Sequence, residues 1–566
     1  MKRSLRSQEW WSGREYYNFS RRAWLRSEGF TADVFQNKPV IGICNSWSEL
    51  NNCNAHLRGL AEAVKRGVWR AGGFPLEFPT ISLGEMFMKP TSMLYRNLMS
   101  MDVEESIRAN PIDGVVLLCG CDKTTPAQLM GAASADVPAI VVTGGPMLSG
   151  QWRNRKLGAG TDGRKLFDLY RTGKLTEGEW CEVEGGLARS AGHCTVMGTA
   201  STMASVAEAM GMTLPGCAAI PAPDSRRITI AELSGQRAVD MVWEDMRPSR
   251  IMTREALENA ITVNMAIGGS TNAVVHLLAI AGRLGIDLKL SEFDRISRRT
   301  PCIVNVKPSG EYLMEDMFEA GGVPAVMNEI LGLLHGDAIT VNGKTVRENV
   351  EGTECWNRDV IRSASQPLSA EGGTVVLSGN LAPRGAVIKH TAASPDLLQH
   401  RGRAYVFESY KQMHEQIDSP DLPVTRDSVL VMKSCGPKGA PGFPEWGQIP
   451  MPRVLLDQGV SDVVRISDAR MSGTSFGTVV LHVAPESAVG GPLGAVETGD
   501  EVELDTAGRL LTLHVPEAEI ARRVAARPVA APHYERGYGW MFLRHVNQAD
   551  EGCDFDFLRR DAAAAR

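Results

Sequence analysis

Residues 115–126 read Val-Val-Leu-Leu-Cys-Gly-Cys-Asp-Lys-Thr-Thr-Pro, and the rest of the chain is expected to be organised around this segment. The four apolar residues Val115–Leu118 predict a short buried strand. Pro126 suits the first turn of a helix and Thr125 suits its N-cap, so we expect a helix over residues 127–135. A short apolar strand that leads directly into a helix is typical of a sheet with parallel strands.

The turn between this strand and this helix carries three chemically different side chains. Cys121 offers a soft thiolate, Asp122 a hard carboxylate and Lys123 an amine. Thiolates suit iron or zinc, whereas carboxylates suit magnesium. Ligands of open α/β sheets bind at the carboxyl ends of the strands, where this turn would lie. The stretch therefore indicates a metal-dependent site, with an ordinary connecting loop as the alternative interpretation.

The same alternation of strands and helices continues on both sides and then stops near residue 370. Strands are predicted over Pro39–Cys44 and Pro138–Val142, which favours an α/β fold with a doubly wound parallel sheet. After that point short strands follow one another with little helix, which predicts a β-barrel-like domain with flanking helices. We therefore expect an α/β domain over residues 1–369 and a β-barrel-rich domain over residues 370–566.

Several shorter segments carry expectations of their own. Residues 150–188 are polar and contain four early glycines, so we expect them to form a loop. The end of the chain, from Val546, is expected to be a polar tail. The predicted barrel strands are Thr374–Leu377, Ala386–Lys389, Ala404–Phe407, Ser428–Met432, Val463–Ile466, Val479–Val483, Glu501–Asp505 and Leu510–His514.

Composition excludes several classes of protein. The net charge of −6 over 566 residues gives no electrostatic reason to expect nucleic acid or a membrane surface as partner. No apolar run is long enough to span a bilayer, and the N-terminus has no apolar segment typical of a signal peptide. The 11 cysteines are scattered without a short-range framework, which favours a reducing compartment over disulfide pairing. We expect a cytoplasmic protein.

Three cysteines are each predicted on a turn that precedes a helix. They are Cys53, Cys121 and Cys194, at intervals of 68 and 73 residues. This spacing matches neither a zinc finger nor a ferredoxin, so no local motif identifies a cluster. Three converging thiolates would nevertheless suit an iron–sulfur cluster that keeps one coordination position open, as Lewis-acid chemistry requires. Hard ligands that would suit Mg²⁺ beside them are Asp122, Glu85 and Glu445.

Six stretches, in this order, resemble the dihydroxy-acid and sugar-acid dehydratase family, which includes phosphogluconate dehydratase. The resemblance runs over nearly the whole chain. A further stretch, Gly84–Pro90, resembles the aldonate dehydratases and differs from the Gly-His-Asp-Gly-Met of the branched-chain dihydroxy-acid dehydratases. The six stretches are Asn51–His56, Gly120–Pro126, Gly144–Met147, Ile267–Asn272, Gly379–Pro383 and Ala469–Thr474.

The resemblance implies cofactors and residue roles that the residues alone leave open. It implies a [2Fe–2S] cluster, with [4Fe–4S] as the alternative, on Cys53, Cys121 and Cys194. It implies Mg²⁺ at Glu85, Asp122, Glu445 and Lys123, the last of these carboxylated on its amine. Ser472 matches the family's catalytic base, and Thr474 lies two residues on, where it could donate a hydrogen bond to that serine.

The resemblance also implies the reaction. We expect a hydro-lyase that converts an aldonate to its 2-keto-3-deoxy acid, with L-arabinonate favoured and D-xylonate, D-fuconate or D-galactonate as further candidates. The site would lie between the two domains of a homodimer or homotetramer. The alternatives are a 2,3-dihydroxyisovalerate dehydratase and, from another class, a non-catalytic iron–sulfur sensor. A zinc hydrolase is a weaker alternative.

Overall fold

The computed structural model describes residues 4–528 and 532–560, so the outer bounds predicted at residues 1 and 566 lie outside the described residues. Two β structures organise the chain. The first is a four-stranded sheet and the second is a closed barrel of eight strands. This arrangement confirms the predicted α/β fold class with a C-terminal barrel. In addition, β5 (Gly150–Trp152) and β6 (Arg155–Leu157) form a small antiparallel hairpin.

The first sheet is entirely parallel and lies in the order β2-β1-β3-β4. Every residue of β1, β3 and β4 is buried, because helices cover both faces of a parallel sheet. The strand predicted over Val115–Leu118 is confirmed as the middle of β3. The four strands are β1 (Val40–Asn45), β2 (Phe74–Pro79), β3 (Gly114–Cys119) and β4 (Ala139–Thr143).

The strand order creates a crevice between the carboxyl ends of β1 and β3. From β1 the chain moves to β2 on one side, and it then returns to place β3 on the other side. Connections that leave two adjacent strands in opposite directions mark the ligand-binding point of an open α/β sheet. Cys53 follows β1 and Cys121 follows β3, so both cysteines lie at this point.

The barrel closes in the order β10-β11-β12-β8-β7-β14-β13-β9 and mixes parallel and antiparallel pairs. Its interior is filled by apolar side chains such as Val431, Ile466 and Val480, so it is a packed core. All eight predicted strands are present. They are β7 (Val375–Gly379), β8 (Ala382–Ile388), β9 (Gln399–Phe407), β10 (Val429–Met432), β11 (Val464–Ser467), β12 (Val479–Ala484), β13 (Glu501–Asp505) and β14 (Leu510–Leu513).

The helices surround both structures, and α5 begins at Thr124, three residues earlier than predicted. They are α1 (Gln8–Trp11), α2 (Tyr16–Ser27), α3 (Leu57–Arg70), α4 (Arg96–Ala109), α5 (Thr124–Ala135), α6 (Thr161–Arg171), α7 (Glu177–Leu187), α8 (Thr199–Ala209), α9 (Ser225–Glu244), α10 (Pro248–Ile251), α11 (Arg254–Ala266), α12 (Asn272–Arg283), α13 (Leu290–Arg299), α14 (Met314–Glu319), α15 (Gly322–Glu329), α16 (Val346–Val350), α17 (Tyr410–Gln416), α18 (Arg453–Asp457), α19 (Glu517–Ala526) and α20 (Gly537–His545).

Two expectations about irregular segments are wrong. Residues 150–188 contain β5, β6, α6 and α7, because Leu166 of α6 packs into a small apolar cluster and Thr176 caps α7 in a capping box. The segment from Val546 is no free tail either. Asp554 in it is buried and accepts a 2.6 Å hydrogen bond from the buried Arg283 of α12.

Two general properties of the chain bear on its environment. All 11 cysteines are free thiols, as the absence of a disulfide framework in the sequence predicts. Within residues 4–528 and 532–560, no helix has the length and the apolar composition needed to cross a bilayer.

The N-terminal helix α2 exposes a row of aromatic side chains, namely Tyr16, Tyr17, Phe19 and Trp24.

Candidate active site

The three cysteines predicted as cluster ligands lie on turns that meet at one end of the parallel sheet. The backbone N–H of Cys121 donates a 2.9 Å hydrogen bond to the Thr124 hydroxyl, which fixes its turn against the start of α5. Cys53 hydrogen-bonds with the thiol of Cys121. Cys194, on the turn before α8, is close enough to act electrostatically on Cys53. The structure therefore brings all three thiols together.

The surroundings of Cys53 and Cys194 oppose ionisation of their thiols. The hydrogen bond with Cys121, followed by burial, raises the pKa of Cys53 well above its ordinary value. Burial raises the pKa of Cys194 to about 12, and the nearby Asp122 carboxylate acts in the same direction. Crowded thiols next to a carboxylate form thiolates readily only when a cation joins them.

The residues predicted as magnesium ligands form one cluster around the Lys123 ammonium. Lys123 is completely buried, and its Nζ lies 3.2 Å from Glu85 Oε2, 3.4 Å from Asp122 Oδ2 and 3.2 Å from Glu445 Oε1. Glu445 comes from the barrel part of the chain, whereas the other three residues come from the α/β part. The cluster thus lies where the two parts meet.

Charge is strongly redistributed within this cluster. Burial opposes the charge on Lys123, but the carboxylates of Glu445 and Glu85 raise the pKa of Lys123 above its ordinary value. Burial likewise opposes the charge on Glu445, but Lys123 and Arg470 lower the pKa of Glu445 to about 2. Across the described residues, no group of three or more His, Cys, Asp or Glu side chains is arranged to hold one metal ion. In the carboxylate cluster, the Lys123 ammonium occupies the position between the three carboxylates that a metal cation would otherwise take.

Arg470 and Asn272, for which the sequence predicts no role of their own, hold Glu445 in place. The buried Arg470 donates to Glu445 Oε1 over 2.9 Å, and its Nε donates to the Phe443 carbonyl over 2.7 Å. Asn272 Nδ2 donates to the same carboxylate oxygen over 3.0 Å and to the Met471 carbonyl over 3.0 Å. Both residues stand in stretches that resemble the dehydratase family, but the sequence does not indicate that either one would contact Glu445. Glu85 is held in a similar way by the hydroxyls of Thr91 and Ser92.

The predicted catalytic serine lies on the turn that follows β11. The Ser472 and Thr474 hydroxyls are 3.0 Å apart, so one donates a hydrogen bond to the other. Ser472 is half-buried, and Gly473 and Thr474 are buried. Since Asn272 bonds both to Met471 and to Glu445, this turn is tied directly to the carboxylate cluster.

The N-termini of three helices converge on this turn. Thr161, in the first turn of α6, donates a 2.7 Å hydrogen bond to the Thr474 carbonyl. Gly473 lies against the start of α8, where an added Cβ would come within 2.6 Å of the Thr199 nitrogen, and against Ser270 just before α12. Helix N-termini carry partial positive charge, so together they favour negative charge at Ser472. The sequence does not reveal this convergence, because the starts of the three helices are spread over more than 100 residues of the chain.

A charged residue near the site, Arg164, is not predicted from the sequence, because it lies in the segment that is expected to be a loop. Arg164 lies on α6, one turn after Gly160, and it is exposed. Its side chain has no hydrogen-bond or ion-pair partner in the part of the chain that the structure describes. Its charge reaches Glu445, whose pKa it helps to lower after Lys123 and Arg470. An exposed cation near the carboxylate cluster is placed to attract an anionic ligand.

Most of the chain matches one family of known proteins. Residues 38–349 match the model of the dihydroxy-acid/6-phosphogluconate dehydratase N-terminal region. Residues 359–553 match the model of the C-terminal region of the same family.

Individual relatives extend over almost the full length of both chains. An L-arabinonate dehydratase from Rhizobium leguminosarum bv. trifolii is 54% identical, over 98% of this chain and 96% of its own. An L-arabonate dehydratase from Azospirillum brasilense is 54% identical, over 98% of this chain and 97% of its own. A 6-deoxy-6-sulfo-D-gluconate dehydratase from Pseudomonas putida is 49% identical, over 99% of this chain and 97% of its own.

Proposed function

The chain belongs to the dihydroxy-acid/6-phosphogluconate dehydratase family, and from this premise we propose that it dehydrates an aldonate, with L-arabinonate as the favoured substrate. Family membership confirms the resemblance that the motifs carry and makes the protein a hydro-lyase. The observation that carries the choice of substrate is the 54% identity, over nearly the full length, to two dehydratases named for that sugar acid. The product would be the 2-keto-3-deoxy acid.

We assign the three thiols of Cys53, Cys121 and Cys194 to an iron–sulfur cluster, [2Fe–2S] in preference to [4Fe–4S]. The fit is supported by the donor set, since the three thiols are free and lie close enough to act electrostatically on one another. It is also supported by the orphaned Nε2 of the buried His193 beside Cys194, which has no partner among the described residues. Iron–sulfur clusters are held by cysteine thiolates, and three ligands leave one iron position open.

We assign Glu85, Asp122, Glu445 and Lys123 to a Mg²⁺ site. Three carboxylates within 3.4 Å of one nitrogen supply the hard oxygen ligands that Mg²⁺ prefers. The ammonium of Lys123 would repel the metal, so the fit requires its conversion to a carbamate by carboxylation. That change replaces a cation by a further oxygen ligand, and the donors Arg470 and Asn272 would still hold Glu445.

Ser472 then acts as the base that removes the C2 proton of the substrate. Ser472 must already be an alkoxide when it takes this proton, and it returns to the hydroxyl form in doing so. The hydroxyl of Thr474, 3.0 Å away, can donate a hydrogen bond that stabilises the alkoxide before the proton is transferred. The N-termini of α6, α8 and α12 favour the same charge, which matters because a free serine hydroxyl is a poor base at neutral pH. Asn272 couples the position of this turn to Glu445, so the base and the carboxylate cluster keep a fixed relation.

The reaction removes one molecule of water. The C2–H and C3–O bonds break, a C2–C3 double bond forms, and the enol becomes a 2-keto-3-deoxy acid when C3 takes a proton. When bound at the Glu85, Asp122, Glu445 and Lys123 site and on the three cysteines, the two metal groups would supply Lewis-acid chemistry, which would make the C2 proton more acidic and the C3 hydroxyl a better leaving group. Arg164 at the rim can help to attract the substrate carboxylate.

Three wider features complete the proposal. The catalytic unit would be a homodimer or homotetramer, in which the exposed aromatic row of α2 serves as a subunit contact. The protein would reside in the cytoplasm, where its 11 free thiols stay reduced. The domains would divide at residues 369 and 370, shortly before β7 begins at Val375.

The test is a substrate panel on the full chain, purified without oxygen and supplied with Mg²⁺. The panel contains L-arabinonate, D-xylonate, D-fuconate, D-galactonate, 6-deoxy-6-sulfo-D-gluconate and 2,3-dihydroxyisovalerate, and the assay measures the 2-keto acid product. We expect L-arabinonate to give the highest kcat/KM. Ser472→Ala should reduce kcat by about 10²–10⁴-fold while leaving the iron content and the visible spectrum unchanged.

Each result decides a separate part of the proposal. A higher kcat/KM for another aldonate would overturn the choice of L-arabinonate and keep the reaction type. Turnover of 2,3-dihydroxyisovalerate alone would overturn the aldonate assignment. Near-normal turnover by Ser472→Ala would overturn the assignment of the base. Absence of product from every compound, in protein with an intact cluster, would favour the sensor alternative.

A further inference from the structure

A buried lysine lies directly behind the turn that carries Ser472. Lys389 follows the last residue of β8, and only 1% of its surface is exposed. Its Nζ lies 3.4 Å from the carbonyl oxygen of Gly473, the residue between the two hydroxyl side chains of the site. No residue of the described chain forms an ion pair with it. The position differs from that of Lys123, which is surrounded by three carboxylates.

An amine in this position is expensive for the fold. Burying an ammonium without a carboxylate partner destabilises the folded state, and an apolar side chain of similar length would avoid that cost. Burial lowers the pKa of Lys389 to about 7, and the nearby Cys302 acts in the opposite direction. The neighbouring His390 bonds to the Gly372 carbonyl, and Glu371 and Arg509 act on that histidine. Unfavourable groups of this kind are concentrated at functional sites.

The contact of Lys389 completes the support of the turn. Thr161 holds the Thr474 carbonyl from α6, and the starts of α8 and α12 press on Gly473. Lys389 holds the remaining carbonyl, that of Gly473, from the barrel side. An amine donates this hydrogen bond whether or not it carries the extra proton. Without the donor, the Gly473 carbonyl would be buried and unsatisfied, and the peptide next to Ser472 would be free to rotate.

We propose that Lys389 is a positioning residue for the dehydration, because its hydrogen bond to Gly473 fixes the peptide that aims the Ser472 hydroxyl at the C2 proton. This inference rests on the proposed function of Ser472. It predicts an effect on the chemical step rather than on substrate binding. A geometric error of about 1 Å at a reacting group can cost about 10²-fold in rate.

The test compares Lys389→Met and Lys389→Arg with Lys433→Met in the full-length enzyme. Lys433 is also a buried barrel lysine, but it pairs with Glu408 at 2.7 Å, away from the turn. For Lys389→Met we expect kcat to fall by about 10–100-fold with KM changed by less than about threefold. The primary isotope effect with 2-deuterated substrate should increase, since proton removal becomes slower. Lys389→Arg, which keeps a donor, should recover at least part of kcat.

A second readout does not depend on turnover. Amide hydrogen exchange of residues 472–477, measured on protein without metals, should become faster in Lys389→Met and stay unchanged in Lys433→Met. The inference is overturned if Lys389→Met keeps more than half of wild-type kcat. It is equally overturned if kcat falls while the isotope effect and the exchange at 472–477 stay at wild-type values, or if Lys433→Met behaves in the same way.

Two further outcomes are decisive. If Lys389→Met does not fold, Lys389→Arg carries the test, and a kcat of Lys389→Arg below one-hundredth of wild type with an unchanged isotope effect overturns the inference. A wild-type enzyme that forms no 2-keto acid from any aldonate overturns the proposed function instead. The two failures are therefore distinguishable.

Discussion

Gly473→Ala tests whether the close packing behind Ser472 is what positions it. The added Cβ would lie 2.6 Å from the Thr199 nitrogen, 2.8 Å from the Gly198 carbonyl carbon and 2.8 Å from Ser270 Cβ. Two of these neighbours are backbone atoms at the start of α8 and the third is a Cβ, so none of the three can move away by a side-chain rotation. The backbone angles of Gly473 are not left-handed, and alanine is therefore opposed by contact alone.

The size of the effect follows from these distances. Ordinary contact of a Cβ begins at 3.4 Å, so the turn must retreat by about 0.8 Å to accept the methyl group. Such overpacking costs about 1–3 kcal/mol of stability. If Ser472 is the base, as proposed, a displacement of this size is expected to lower kcat by about 10²-fold, because proton removal depends on near-contact geometry.

The assay is formation of 2-keto acid from the best aldonate, together with thermal unfolding and iron content. The matched control is Gly185→Ala in α7, where the added Cβ meets no atom within 4 Å. This control should keep full activity and gain a little stability from the better helix former. The reasoning is refuted if Gly473→Ala keeps kcat within about threefold of wild type, since the turn would then not depend on that contact.

Four further outcomes are expected. Thr474→Val removes the 3.0 Å hydrogen bond to Ser472 and should lower kcat about tenfold at unchanged iron content, and an unchanged kcat would exclude a role for that hydroxyl. Asp554→Asn removes the nearest carboxylate of the buried Arg283, which keeps only Glu104 Oε2 at 3.5 Å, and should cost about 3 kcal/mol in unfolding experiments, whereas Asp556→Asn, at an exposed pair, should cost less than about 1 kcal/mol. Arg164→Gln should raise KM for the anionic substrate several-fold, most clearly at low salt, while Lys165→Gln serves as control and an equal effect of both would argue against a specific role. Because the pKa of Lys389 falls from 10.5 to about 7 on folding, the unfolded state binds more protons between these values, so wild-type stability should rise with pH across this window relative to Lys389→Met, and parallel pH curves of melting temperature would contradict this.

The elements with a regular apolar pattern could be predicted well, and the reason is physical. The strand around Val115–Leu118 is buried on both faces, so its sequence is continuously apolar and easy to identify. The barrel strands were found from short apolar runs between glycines. Helix α6 was missed because only a narrow stripe of it is apolar and glycines interrupt its start. The end of the chain was misjudged because its anchor is an ion pair, Arg283 with Asp554, which no local pattern announces.

The candidate site shows a similar division. The cysteines and the carboxylate cluster were named from motifs, and the structure brings each set together. The partners of those residues were not predictable, because Asn272, Arg470 and Lys389 act on groups that are distant in sequence and close only after folding. Sequence patterns indicate which side chains carry chemistry, whereas the donors that orient them depend on tertiary contacts.

The distribution of the site along the chain also sets an order of events during synthesis. All three thiols have been translated once residue 194 is made, but Glu445 follows 251 residues later and Ser472 later still. At about 5–20 residues per second, the ribosome needs roughly 13–50 seconds to cover that interval. During this time the nascent chain presents its cysteines before Glu445 and the barrel have been made. If the proposed cluster is assembled on these thiols, iron delivered early would meet them before the two parts of the chain have joined, and iron delivered late would have to enter the folded protein.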